Sequence, residues 1–168
     1  MPETEDGIEE VVNGQIRIMP PPKWKHSEVI DSLAHLLGSQ TDRKEVKIKI
    51  SIFGLVIRRK PLTTRVPDLA MFIAKNIVEQ DGYIHSAPEL VVEVLSPANT
   101  PSERAEKLRD YEEIGVPEAW VLSSETRTVE VLRLENGKLR IVRVVSEGQL
   151  RPFCFPEVAV DVPLIWPD

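Results

Sequence analysis

The sequence has a single cysteine, Cys154, in 168 residues. An intrachain disulfide is therefore excluded, as is a multi-cysteine metal cluster within one chain, and a reducing cytoplasm is the expected compartment. Long apolar runs are missing too. None approaches the ~20 residues of a membrane span, and the amino-terminal MPETEDGIEE is acidic without an apolar core, so neither a span nor a secretory leader is expected. The three histidines, His26, His35 and His85, show no zinc-ligand spacing. There is no glycine-rich phosphate loop, and Ser96 and Ser102 lack the Gly-x-Ser-x-Gly setting of an activated serine. What is present is an ordinary share of apolar (42%) and charged (29%) residues, which suits one globular domain over residues 1–168.

The net charge of −6 argues against a surface given over wholly to a phosphate backbone. The charge is uneven, however. Between Arg43 and Arg65 eight basic residues stand against one acid, Glu45, a net +7 that leaves −13 for the rest of the chain. Two readings of this segment stand: a surface facing a polyanion, or the solvated side of an amphipathic strand pair.

Asn13-Gly14, between Val11-Val12 and Ile16-Arg17-Ile18, predicts a tight hairpin, and Pro20-Pro21-Pro22 ends its second strand. Val29, Ile30, Leu33, Leu36 and Leu37 then recur at helical spacing up to Gly38, which predicts a helix over 24–37. Val46, Ile48, Ile50 and Ile52 alternate with Lys47, Lys49 and Ser51 as in a strand with one wet face. Gly54 offers a turn, and further strands are expected over 55–59 and 66–73, with Pro67 near the start of the latter. LVVEVL, from Leu90 to Leu95, reads as a central strand. Thr100-Pro101-Ser102-Glu103 combines a capping threonine, a first-turn proline and a reciprocating glutamate, predicting a helix that runs to about Ile114 and stops at Gly115. A strand over Ala119 to Leu122 follows. Asn136-Gly137, between Val129–Leu134 and Leu139–Val145, predicts a second hairpin, and a proline-bearing tail from Phe153 to Asp168 closes the chain.

An ionised glutamate within LVVEVL loses its hydration, so Glu93 either has a partner or faces outward from an edge strand. Asp68 opens the strand expected to lie antiparallel beside it, and is either part of a Pro-Asp turn or a second carboxylate at the same end of the sheet. Two such groups suit a hard cation such as Mg²⁺, which accepts few protein ligands. Lys107, taken alone, is a solvated helix charge beside Glu103, Glu106 and Asp110, with Arg104 and Tyr111 on its stripe. His26, at the head of the first helix, is by itself a capping or surface residue.

Together these residues carry a resemblance. Val66-Pro67-Asp68, Glu93-Val94-Leu95-Ser96-Pro97, Lys107, Tyr111 and Gly115-Val116-Pro117-Glu118, with the opening hairpin, Met19-Pro20-Pro21-Pro22 and His26, resemble the Uma-two family of endonucleases in the PD-(D/E)XK superfamily. The resemblance spans nearly the whole chain. It implies a restriction-endonuclease-like α/β fold, with a mixed central β-sheet flanked by two main helices and with added N- and C-terminal β-hairpins. The superfamily core is a helix, a three-strand meander, a helix and a further strand. The resemblance also implies Asp68, Glu93 and the main-chain carbonyl of Val94 as holders of Mg²⁺ or Mn²⁺, Lys107 as the third catalytic residue, and His26, Tyr111 and Arg104 in support. One position departs: the superfamily's lysine two residues beyond the acid is here Leu95, which shares the face of Glu93 by strand alternation. A cationic group must then come from elsewhere, and the resemblance supplies Lys107. The function implied is Mg²⁺-dependent cleavage of nucleic-acid phosphodiesters, with DNA the expected partner. The alternative is an inactive module on the same scaffold, serving nucleic-acid binding or protein assembly. No membrane partner is expected, and the two hairpins suggest a homodimer.

Overall fold

A computed structural model of the protein describes residues 7–50, 53–97 and 99–167. The first hairpin pairs β1 (Ile8–Val12) with β2 (Gln15–Met19), and Asn13 and Gly14 at its tip take φ of 51° and 79°, as a type I′ turn requires. Helix α1 (Trp24–Gly38) buries Val29, Ile30, Leu33 and Leu37 along one stripe. After it come β3 (Val46–Ile50), β4 (Gly54–Arg59), β5 (Leu62–Arg65) and β6 (Leu69–Ile73). The expected continuation of β3 over Ser51 and Ile52 lies outside the described residues. Two short strands, β7 (Glu79–Gln80) and β8 (Tyr83–Ile84), precede β9 (Leu90–Val94). Helix α2 (Pro101–Glu113) has both halves of its capping box formed: Thr100 Oγ1 accepts the Glu103 N–H and Glu103 Oε2 accepts the Thr100 N–H. Strands β10 (Glu118–Ser123), β11 (Thr128–Glu135) and β12 (Lys138–Val145) follow, the last two joined at Asn136-Gly137, and β13 (Gln149–Leu150) and β14 (Val160–Asp161) pair near the end.

The central sheet runs β12-β11-β10-β9-β6-β3, with β9 and β10 parallel and the other pairs antiparallel. A second sheet, β2-β1-β5-β4-β8-β7, takes in the amino-terminal hairpin. On one side of the central sheet α1 packs over Leu69, Met71, Val92 and Val94. On the other, Tyr111 of α2 and Leu55 and Ile57 of β4 pack over Val91, Ala119 and Val121. Because side chains alternate along a strand, Val92 and Val94 meet α1, whereas Val91 and Glu93 face α2. Among the described residues no helix is long and apolar enough to cross a membrane.

Two expectations are corrected. Gly54 is not a turn but the first residue of β4; a Cβ there would stand 2.7 Å from the Tyr83 ring, so close packing explains the glycine. The strand expected over 66–73 begins only at Leu69, because the chain crosses at Val66-Pro67-Asp68 from β5 in the second sheet to β6 in the central one. Strand β5 gives no alternating signal, since Thr63, Thr64 and Arg65 are all buried. The tail that closes the chain also packs: Phe155, Val158, Val160, Val162, Ile165 and Trp166 join the core beneath α1.

The α2 cap fixes where that helix starts and so which residues face the sheet. Replacing Thr100 with Ala is expected to lower the unfolding free energy by about 1 kcal/mol, read as a shift of the urea midpoint at constant slope.

Candidate active site

The antiparallel register of β6 and β9 pairs Leu69 with Val92. Extended one step, it sets Asp68 opposite Glu93 at the mouth of the two strands. The Asp68 side chain is tied there: its Oδ2 accepts the Val94 N–H at 2.8 Å and lies 3.4 Å from Nε2 of His26 on α1. Glu93 turns toward α2, where Lys107 and Tyr111, one helical turn apart, share a face. Lys107 Nζ donates to Glu93 Oε2 at 3.2 Å and sits 3.1 Å from Oε1, and the Tyr111 hydroxyl donates to Oε1 at 2.5 Å. The same ammonium donates to the Val66 carbonyl at 3.2 Å and lies 3.4 Å from Oε1 of Glu10. The four side chains at the centre are not sealed: His26, Asp68, Glu93 and Lys107 keep 13–15% exposure.

These contacts set the protonation states. Burial opposes charge on Asp68, but His26, Lys107 and the Val94 N–H outweigh it and hold its pKa below the ordinary value. Burial, reinforced by the Asp68 charge, pushes Glu93 up to about 8 despite Lys107 and Tyr111. Burial likewise opposes charge on Lys107, yet Glu93, Glu10 and Asp68 raise its pKa and keep it an ammonium. Burial and the Glu93 charge raise Tyr111, so its phenol stays a donor. His26 is also raised: burial opposes the protonated ring, but Asp68 and the Val94 carbonyl favour it more strongly. Its Nδ1 is buried with no hydrogen-bond partner.

Of the residues singled out in the sequence, the fold thus gathers His26, Asp68, Glu93, the Val94 main chain, Lys107 and Tyr111. Arg104 is half-buried on α2, and among the described residues no hydrogen bond or ion pair links it to Glu93 or Lys107. Leu95, two residues beyond Glu93, packs into the apolar cluster around Tyr111. Sequence reasoning missed Glu10. It is 2% exposed, and its Oε1 accepts the Val66 N–H at 2.9 Å while its Oε2 takes Arg65 Nη1 at 3.1 Å. Arg65 in turn binds Asp110 at 2.7 Å, and Asp110 binds Arg58 at 2.8 Å. The available signal was an acid at a core-facing position of β1, masked by its acidic neighbour Glu9.

Asp68 and Glu93, set opposite one another across β6 and β9, and the Val94 carbonyl are the hard oxygens the site could offer a metal, though both Glu93 oxygens here accept from Lys107 or Tyr111. Among the described residues no three His, Cys, Asp or Glu side chains gather as a metal cage. That donor set fits Mg²⁺ or Mn²⁺, which keep several waters and take one or two carboxylates. It does not fit Zn²⁺, which prefers nitrogen or sulfur and a closed shell of four.

Comparison with known proteins agrees with this architecture. Residues 1–163 match the profile of the Uma2 family, described as "Putative restriction endonuclease". Among solved structures the chain is similar to "a putative nuclease belonging to DUF820 from Anabaena variabilis", with a TM-score of 0.77 at 21% identity over 98% of this chain and 92% of that one, a likeness of fold. No curated protein matches.

Two measurements test this geometry. Truncating Glu10 to Ala leaves the buried Val66 N–H without its acceptor and removes one acid from Arg65, which keeps Asp110 and Glu106, and is expected to cost ~1–3 kcal/mol in chemical denaturation; a loss well below about 1 kcal/mol, the range of exposed ion pairs, would contradict the network. The second concerns pH. Glu93 holds its proton more tightly folded than unfolded, so its contribution is complete below its ordinary value of 4.5 and disappears as pH rises to about 8; His26, also raised, acts in the same direction above 6.5. The Tm of metal-free protein should therefore fall across this interval, and Glu93→Gln should flatten much of the fall. An equally steep fall in the variant would show that Glu93 is not the group responsible.

Proposed function

The chain belongs to the Uma2 family of restriction-endonuclease-like proteins, and from that premise we propose that it is a Mg²⁺-dependent endonuclease, residues 1–168 acting as one domain on nucleic-acid phosphodiesters, DNA in the first place. The observation that carries this reading is the convergence of Asp68, Glu93 and the Lys107 ammonium at the open end of β6 and β9.

Asp68, Glu93 and the Val94 carbonyl would hold the ion. When bound, it supplies a water acidic enough to attack at neutral pH and a counter-charge for the scissile phosphate. The remaining work falls to the chain. The Lys107 ammonium, fixed between Glu93, Glu10 and the Val66 carbonyl, is positioned to orient the attacking water and to offset the negative charge that develops on the phosphoryl oxygens. Tyr111 keeps one Glu93 oxygen aimed, and His26 does the same for Asp68. Exposed Ile16 and Ile18 on β2 and Ile141 and Val144 on β12 offer apolar edges for a two-fold pair of chains, which would bring two sites to opposite strands of a duplex.

A second reading has one observation in its favour: Lys107 and Tyr111 already satisfy both Glu93 oxygens. That arrangement suits a non-catalytic scaffold for nucleic-acid binding or assembly. Calorimetric titration with Mn²⁺ separates the two, since a scaffold would bind none at millimolar metal and a nuclease would bind it through Glu93.

For the nuclease, plasmid nicking in Mg²⁺ or Mn²⁺ is expected to fall ~100-fold or more in Asp68→Asn, Glu93→Gln and Lys107→Met, with folding preserved by circular dichroism. Absence of cleavage of any DNA or RNA by the wild-type chain would falsify the enzymatic assignment.

A further inference from the structure

Within the basic run between Arg43 and Arg65, two pairs of residues behave differently. Arg58 and Arg65 turn inward to Asp110, Glu10, Glu106 and Glu113, so these charges are consumed by the fold. Lys47 and Lys49 are not. Among the described residues neither has an ion-pair or hydrogen-bond partner, Lys49 being exposed and Lys47 half-buried.

Both lie on β3, the edge strand of the central sheet, beside β6. Val46, Ile48 and Ile50 pack on the α1 side, so alternation sends Lys47 and Lys49 to the other face, the one that carries Glu93. The register sets Lys49 opposite Ala70 and Lys47 opposite Phe72, two and four residues along β6 from Asp68. Two strand residues span about 7 Å and adjacent strands lie about 5 Å apart. The two ammonium groups therefore follow one another away from the carboxylates at the scale of a nucleotide step. Their neighbours on β6, Ala70 and Phe72, are uncharged. Two like charges held side by side on an edge strand, with no acid paired to them among the described residues, form a surface that an anionic ligand with repeating charge would match, and the strip lies along β6 from the acidic site.

We propose that the edge strand β3 is a track for the nucleic-acid backbone, with Lys49 and Lys47 contacting successive phosphates on one side of the bond to be cut. The track rests on the nuclease reading of Asp68, Glu93 and Lys107 for its substrate, but it is tested by binding alone.

Fluorescence anisotropy of a labelled DNA duplex, titrated with the full chain in EDTA between about 50 and 200 mM salt, measures affinity and its salt dependence. The double variant Lys47→Ala/Lys49→Ala is expected to bind at least tenfold more weakly at low salt. The slope of log affinity against log salt should shrink by about 1.8, or by about 1.4 on a single strand, as two lost phosphate contacts require. Lys138→Ala, which removes an exposed lysine beside α2, should bind as wild type does, and all variants should keep the wild-type Tm. Wild-type affinity and slope in the double variant would overturn the track while leaving the nuclease reading intact. Binding that depends on both lysines in a protein that never cleaves would support the track and sink the nuclease. A wild-type chain that binds no DNA in EDTA would end the track, while cleavage in Mg²⁺ or Mn²⁺ decides the nuclease reading separately.

Discussion

The Lys107 ammonium is the contact on which the rest of the site depends. It lies between Glu93 of β9, Glu10 of β1 and the Val66 carbonyl just before Asp68, and so joins four separate stretches of chain. Removing the Lys107 ammonium and the Glu10 carboxylate from most of their water costs several kcal/mol per ion, tolerable only because each has short, directed partners, while burial pushes the Glu93 carboxyl up to about 8. The mutual attraction is strong for the same reason that isolation would be costly: little water is left to screen it. Helix α2 is thereby fixed against both sheets at one point, with Tyr111 supplying the adjoining apolar contact.

Placing the cation on a helix rather than on the strand alters what the strand can do. Side chains two apart on β9 project to one face, and that face lies against α2. With leucine at 95, the strand closes the apolar cluster around Tyr111 instead of presenting a second charge. The lysine's four-carbon stem crosses from the helix and delivers only its charged end to the carboxylates. The cost is dependence on helix placement, since a lysine on α2 is useful only if the cap at Thr100 and the packing of Tyr111 hold its register. The buried chain Glu10–Arg65–Asp110–Arg58 provides that support beneath the helix. It also holds the Val66-Pro67-Asp68 crossing, since Glu10 accepts the Val66 N–H.

The uneven charge of the chain resolves along the same lines. Arginines, whose planar forks satisfy two acids at once, are buried in the network. The lysines of β3 remain at the surface, beside a site whose own carboxylates are already neutralised from within. An acidic protein thus keeps two lysines on the edge strand β3 near its paired carboxylates.

Local elements were legible in the sequence because their causes are local. Positive-φ residues at Asn13-Gly14 and Asn136-Gly137 define two hairpins, a capping box defines α2, and a 3.6-residue apolar period defines α1. Strand β5 was not legible, because Thr63, Thr64 and Arg65 are buried by partners more than forty residues away, and polar residues carry no apolar alternation to read. Asp68 and Glu93 were nameable from their pattern, and Lys107 only from resemblance. That they meet, that Glu10 joins them, and that Arg65 turns inward while Lys47 and Lys49 do not were decided by the crossing between sheets and the docking of α2. The physical reason is that charges pair through space, and only the folded chain sets which of them are neighbours.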